Sequence, residues 1–405
     1  MSVLAEIATL HETMRGWRHH LHAHPETAFE EVDTAAFIAE LLQSFGIEVH
    51  TGLAKTGVVG IIQGREPGPW IGLRADMDAL DVHEANDFPH RSRHPGKMHA
   101  CGHDGHSAML LGAARHLAET RDFAGTVAVI FQPAEENEGG GRVLVEEGLF
   151  ERFPIESVYG LHNWPGLPEG HFAIRHGPQM AAYDIFEITL NGRGAHAGMP
   201  HLGRDALLAA GHLIVALQSI ASRNINPLDA LVVSVTQLHG GDTWNVLPQQ
   251  AVLRGTVRSF SPAVQNLAEQ RIREITHGVA ATFGIEADLR YERRYPPTIN
   301  ADAPTRIAIA AATALVGAER VELDPVPSMG AEDFAFLQQA RPGAYIWLGA
   351  GIGQLGCVLH NPGYDFNDEV LGVGASYWVQ VVRHALPFGT PTSQTQPAEV
   401  SEAQP

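Results

Sequence analysis

The strongest constraint on the fold is an interruption of one hydrophobic rhythm by another. Tyr183 to Leu190 (YDIFEITL) alternates apolar and polar residues, as a half-buried strand does. Residues 204–221 are patterned as a helix, Asp229 to Leu238 and Gln249 to Phe260 as strands, 262–283 as a helix, and Ile285 to Tyr291 alternates again. The order βαββαβ is the ferredoxin-like unit. It spans about 110 residues, a sufficient length for a domain. On either side the rhythm is different. Helical spacing covers residues 3–21, 34–45, 106–119 and 140–148, interleaved with β-rich runs Val58 to Ile62, Trp70 to Ala75, Gly125 to Phe131 and Ser157 to Leu161. After Tyr295-Pro296-Pro297 it resumes, with helices expected at 304–316, 331–339 and 368–385 and a strand at Ala344 to Leu348. Short, continuously apolar strands between helices predict an α/β fold with a mostly parallel, buried central sheet. The expected organisation is one α/β domain in two pieces, 1–180 and 293–387, with the ferredoxin-like unit inserted at 181–292. The polar, Pro-rich residues 388–405 are expected to be a disordered tail.

Composition narrows the function. A net charge of −19 argues against a nucleic-acid footprint and against a polybasic membrane patch. The longest apolar stretch, Ala206 to Leu217, includes His212 and falls short of the roughly 18 residues of a membrane span. The N-terminal segment reads as an amphipathic helix rather than a leader. Two cysteines, Cys101 and Cys357, make no disulfide framework and suit a reducing compartment. The chain is therefore expected to be cytoplasmic. Lys55 and Lys97 are its only lysines, which leaves few candidates for Schiff-base chemistry. Its 23 histidines leave many for metal or acid–base chemistry.

The densest cluster is His99-Ala100-Cys101-Gly102-His103-Asp104-Gly105-His106. Cys101 and His103 share a side of an extended segment, and Gly102 and Gly105 let the backbone bend around an ion. Taken alone, the segment suits either a metal loop or a solvated turn with a buried thiol. Gln132-Pro133-Ala134-Glu135-Glu136 follows the strand 125–131, where ligands of open α/β sheets bind. Two adjacent carboxylates there can divide metal ligation and base catalysis between them. His162 follows the strand 157–161, and His360 lies far along in Leu359-His360-Asn361-Pro362. Cys, His and Glu together suit a borderline-soft divalent ion and exceed what one tetrahedral site needs. Two ions sharing a ligand fit that excess. The glycine-rich Gly192 to Gly198 fails the dinucleotide spacing at Ala197, and a turn presenting His196 is the better reading. The zincin helix, the serine nucleophile elbow and the P-loop are absent.

Read in order, RHHLHAHPE (18–26), LRADMDAL (73–80), HACGHDGHSAML (99–110), QPAEE (132–136), GLHNWP (160–165), GRGAHAGMPHLGRDA (192–206), WNVLPQQA (244–251), GAEDFAFL (330–337) and LHNPGYDFND (359–368) form a set. They resemble the amidohydrolase branch of the aminoacylase/carboxypeptidase superfamily of dinuclear metallohydrolases. That branch includes hippurate hydrolases, N-acyl-amino-acid amidohydrolases, N-acetyldiaminopimelate deacetylases and auxin-conjugate hydrolases. Asp81 departs from the proline usual after the D-A-L run, which bears on local loop shape.

The resemblance implies metal ligands Cys101, His103, Glu136, His162 and His360, with Cys101 bridging. It implies Glu135 as general base and the inserted unit as a lid and dimer contact. It assigns to His196 the oxyanion of the partner subunit's site, and places Asn245 near the substrate. Two divalent ions per subunit are implied, with Zn, Mn, Co or Ni all compatible with the ligand types. The implied reaction is hydrolysis of N-acyl amino acids, acetyl or aromatic acyl, to a carboxylic acid and a free amino acid. Arg258 on a strand of the inserted unit is a candidate for the substrate carboxylate, since arginine suits bidentate capture. The alternatives are a carboxypeptidase or dipeptidase on the same scaffold and, in another class, a metal-binding protein without catalysis. The remaining histidines need no functional role.

Overall fold

The computed structural model of the chain describes residues 2–136, 138–351 and 358–388. Cys357 and the tail from residue 389 onwards lie outside the described residues.

Strand Ala124–Gln132 explains the main layer. Val127, Val129 and Phe131 point into one hydrophobic core, and Ala128 and Ile130 into another. A strand buried on both faces needs helices on both sides. Its neighbours complete an eight-stranded sheet in the order Glu48–Leu53, Gly57–Gln63, Ala124–Gln132, Glu66–Asp76, Ser157–Trp164, Gly343–Gly349, Phe172–Ile174 and Val321–Leu323. The four strands from Ala124–Gln132 to Gly343–Gly349 are parallel. Antiparallel pairing joins the first three strands of the sheet, and likewise Gly343–Gly349 to Phe172–Ile174. One face is covered by His11–Ala23, Val32–Ser44, His103–Thr120, Asp302–Val316 and Leu371–Ala385. The other is covered by Gly140–Glu146, Leu149–Arg152 and Phe334–Ala340. The chain leaves Glu66–Asp76 to build one neighbour, then crosses to build the other. That reversal opens a crevice at the strands' carboxyl ends.

The segment expected as an insertion forms a second sheet, ordered Leu231–His239, Gln250–Ser259, Ala182–Asn191, Glu286–Tyr295, and wholly antiparallel; its last strand runs to Tyr295, past the expected end at 292. In chain order this is the arrangement of a ferredoxin-like unit. Helices Ala206–Leu217 and Pro262–Phe283 pack on one face over Ile188, Leu190 and Leu253.

Several local expectations are corrected. The helix expected at 3–21 breaks into Ala5–Ala8 and His11–Ala23. Strands Glu48–Leu53, Phe172–Ile174 and Val321–Leu323 carry too short or too polar a pattern to stand out from sequence. Helix Ala206–Leu217 is followed by a π-helical turn, Ile220–Asn224, and Ala206–Asn224 is long and apolar enough to cross a membrane by length and composition alone. The expectation that this stretch falls short is thus corrected. In the fold, its Leu213 and Leu217 sit in the core of the inserted unit.

Candidate metal centre and active site

The crevice collects side chains from widely separated parts of the sequence. Cys101 precedes helix His103–Thr120, whose N-cap is Gly102 at φ +95°. A Cβ at Gly102 would stand 2.5 Å from Asn163 Oδ1, so both space and backbone call for glycine. Glu135 and Glu136 follow strand Ala124–Gln132, and His162 lies near the end of Ser157–Trp164. His360, at φ +66°, closes the group from the C-terminal part.

The five residues implied as ligands come together. Cys101, His103 and His162 form one group, and Cys101, Glu136 and His360 another, with the candidate ligand atoms of each within 4.8 Å of one another. Cys101 belongs to both, the position a bridging ligand must hold. Its Sγ is 3.4 Å from His162 Nε2. His162 donates Nδ1–H to the Asn163 carbonyl at 2.6 Å, which leaves Nε2 as the free lone pair. His360 Nε2 lies 3.2 Å from Glu136 Oε1. Among the described residues, His103 Nε2 is buried without a hydrogen-bond partner, and Glu136 Oε1 is buried with only the His360 imidazole beside it. An orphaned imidazole nitrogen, set among thiol, imidazole and carboxylate, fits a divalent cation. Burial, then the Glu136 and Glu135 carboxylates, push the Cys101 thiol well above its ordinary value, so its thiolate needs a cation beside it.

The adjacent carboxylates are pushed apart. Burial, then Glu332 and Glu136, raise Glu135 well above the ordinary carboxylate range. Burial opposes the charge of Glu136 too, but His360 and His103 outweigh it and hold Glu136 below that range. One is therefore suited to carry a proton and the other to remain an anion.

Beneath them the fully buried Arg74 meets Asp76 at 2.6 Å, Asp333 at 2.9 Å and Glu332 at 3.0 Å. Sequence reasoning assigned no role to Glu332, Asp78, Arg74 or Tyr295. The first three stand inside quoted motifs, so a signal existed. Tyr295 had none beyond its place before Pro296-Pro297.

A cleft of about 420 Å³ opens over the group. Cys101, Glu135, Glu136, His162 and His360 line it, with Trp164 and Glu332. From the inserted unit, Tyr183, Arg258 and Tyr295 complete the wall. Arg258 thus reaches the cleft, with its guanidinium 4.0 Å over the Tyr183 ring. It makes no ion pair among the described residues. His196 and Asn245 do not reach it. They sit together on a small exposed ribbon, where His196 pairs with Val246 and the Ala197 N–H donates to the Asn245 carbonyl.

The sequence model of peptidase family M20/M25/M40 matches residues 72–384. An N-acetyl-L-cysteine deacetylase of Bacillus subtilis is 41% identical, over 92% of this chain and 88% of that protein. A hippurate hydrolase of Campylobacter jejuni is 38% identical, over 94% of this chain and 98% of that protein. A crystal structure described as a dinuclear metal binding peptidase of the M20 family, from Bacillus subtilis, superposes with a TM-score of 0.82. It is 35% identical and is covered over 99% of its length by 94% of this chain.

Proposed function

The chain belongs to peptidase family M20/M25/M40 and is a metal-dependent amidohydrolase with two divalent ions, and from that premise we propose that it cleaves the amide bond of N-acyl amino acids. The products are a carboxylic acid and a free amino acid. The observation that carries this reading is the pair of ligand groups sharing Cys101, with Glu135, whose proton affinity burial and neighbouring carboxylates raise, beside them.

Cys101, His103 and His162 would hold one ion and Cys101, Glu136 and His360 the other. When bound, the ions bring the pKa of a captured water towards neutrality and polarise the scissile carbonyl. Glu135 takes the proton from the attacking water and hands it to the leaving amine, the acid–base reversal of one group. Its raised affinity for protons suits both halves of that exchange.

Arg258 binds the free carboxylate of the substrate. Its lack of an ion pair among the described residues supports this, and so does its seat on the Tyr183 ring. The inserted unit acts as a lid and dimer contact. His196 serves the partner subunit's site, since it lies exposed and away from the cleft of its own chain. The Gly198 N–H donates to His196 Nδ1 at 3.0 Å, which places the ring proton on Nε2 as a donor for the oxyanion. Asn245 stands beside it on the ribbon. A thiolate ligand at Cys101 favours a reducing compartment, the cytoplasm.

The test is a hydrolysis panel after chelation and reloading with Zn, Mn, Co or Ni. N-acetyl and aromatic N-acyl amino acids are the expected substrates. Preference for dipeptides overturns the substrate class in favour of a peptidase on the same scaffold. Two bound ions with no amide cleaved overturn catalysis altogether. Glu135→Gln is expected to keep both ions and lose turnover, and near-wild-type hydrolysis by that variant overturns the base assignment.

A further inference from the structure

The turn that carries Glu135 is held from several directions. Ala134 sits at φ +55°, a left-handed conformation that an L-residue keeps only when its surroundings impose it. The catalytic layer imposes it in part. The Ala134 N–H donates to Glu31 at 2.9 Å, the Glu136 N–H to Asp78 at 2.9 Å, and the Gly141 N–H to Asp333 at 2.7 Å. None of these reaches the main chain of Glu135 itself. Tyr295 does. Its phenol donates to the Glu135 carbonyl at 2.5 Å and accepts the Gly139 N–H at 3.1 Å.

Tyr295 belongs to the inserted unit. It is the last residue of strand Glu286–Tyr295, only 5% exposed, and pairs with Tyr183. Its ring stands edge-on to Tyr183 at 6.1 Å and 90°, and to Phe336 at 6.1 Å and 80°. Tyr183 in turn pairs with Arg258 on the next strand. Arg258, Tyr183 and Tyr295 therefore form one row across three strands. One end of the row, Arg258, lines the cleft, and the other, Tyr295, grips the Glu135 main chain.

We propose that Tyr295 is the positioning residue through which the lid sets Glu135, so that engagement of a substrate carboxylate at Arg258 and placement of the base are one mechanical unit. The inference rests on the reading of Glu135 as base. Nothing in it requires Tyr295 to touch substrate or ion.

The experiment is Tyr295→Phe in the full-length, metal-loaded enzyme. The variant keeps the ring packing and loses only the hydroxyl. The expected result is two ions per chain, KM within about twofold of wild type, and kcat lower by about 10-fold or more, the scale of a misplaced catalytic group. Hydrogen exchange at the Glu136 and Gly139 amides is expected to quicken. Combined with Glu135→Gln, Tyr295→Phe is expected to cost no further rate, because residues acting as a unit are not additive. A wild-type kcat in Tyr295→Phe beside an inactive Glu135→Gln overturns this inference alone. So does an independent, multiplicative loss in the double variant. Full turnover by Glu135→Gln overturns the base reading and this inference with it.

Discussion

His103 turns its Nδ1 onto Asp78, 2.9 Å from the carbonyl oxygen and 3.1 Å from the carboxylate, and leaves its Nε2 buried without a hydrogen-bond partner among the described residues, 3.7 Å from Asp76. The contact fixes both the tautomer and the ring plane, and it makes the free nitrogen a better ligand. Asp78 also accepts the Glu136 N–H, so one carboxylate aligns two candidate ligands, one at the start of helix His103–Thr120 and one after strand Ala124–Gln132. Asp78→Ala is expected to weaken metal binding about 10- to 100-fold. Competition against a chelator of known affinity measures this. Unchanged affinity would show that His103 holds its orientation through packing alone.

The turn after Glu135 tolerates no side chain at Gly140. A Cβ there would stand 1.8 Å from the Pro133 carbonyl oxygen and 2.8 Å from its carbon. These are backbone atoms, so relief requires moving the segment that carries Glu135. Gly140→Ala is expected to cost about 1–3 kcal/mol, as overpacking does, and to lower kcat alongside the melting temperature. Gly278 is the contrasting case, exposed within helix Pro262–Phe283 with nothing within 4 Å of an added Cβ. Gly278→Ala is expected to stabilise by about 0.5–1 kcal/mol through helix propensity. Thermal melts of the two variants should move in opposite directions.

The N-terminal helix contributes a pH dependence. Burial opposes a charge on His22, but hydrogen bonds to Asp104 at 2.8 Å and Glu84 at 3.2 Å outweigh it and lift its pKa from 6.5 to about 9. The folded state therefore holds this proton more tightly than the unfolded chain. The resulting stability is fully present below pH 6.5 and is lost as pH rises through about 9. Its scale is about 3 kcal/mol. Melting temperatures from pH 6 to 10 should fall more steeply for wild type than for His22→Gln. Parallel curves would remove His22 from the account.

The features legible in the sequence are those with a local cause. The helix expected at 262–283 forms from Pro262 to Phe283, because Ser261 caps it, Pro262 opens it and Gly284 ends it. The strand expected at Ala344 to Leu348 forms as Gly343–Gly349, an unbroken apolar run. The grouping of Cys101, Glu136, His162 and His360 was readable because each sits in a motif at the mouth of the sheet. Tyr295 was not, and Glu332 only in part: it stands in GAEDFAFL, but its contacts are ones that sequence order hides. Tyr295 bonds a carbonyl 160 positions away. Glu332, in the turn before helix Phe334–Ala340, meets Arg74 on strand Glu66–Asp76 far earlier in the chain. The break after Ala8 was hidden for a similar reason: Ile7 and Met14 reach the same core from two short helices whose apolar residues suggest one.

His196 and Glu135 are a pair that one chain does not bring together, and this gives the sharpest prediction on assembly. His196 is exposed on its ribbon, with the wholly exposed Trp244 and the partly exposed Val246 beside it. If His196 serves the partner's cleft, His196→Ala and Glu135→Gln are each inactive alone. A mixed dimer of the two then holds one intact site, made of Glu135 from one chain and His196 from the other. Random exchange between equal amounts is expected to restore about a quarter of wild-type activity, because half the dimers are mixed and each has one working site of two. If His196 acts within its own chain, every site in the mixture lacks one residue and no activity returns. Native mass spectrometry of the same sample shows whether mixed dimers have formed, so an inactive mixture that contains them rejects the exchange of His196 between subunits.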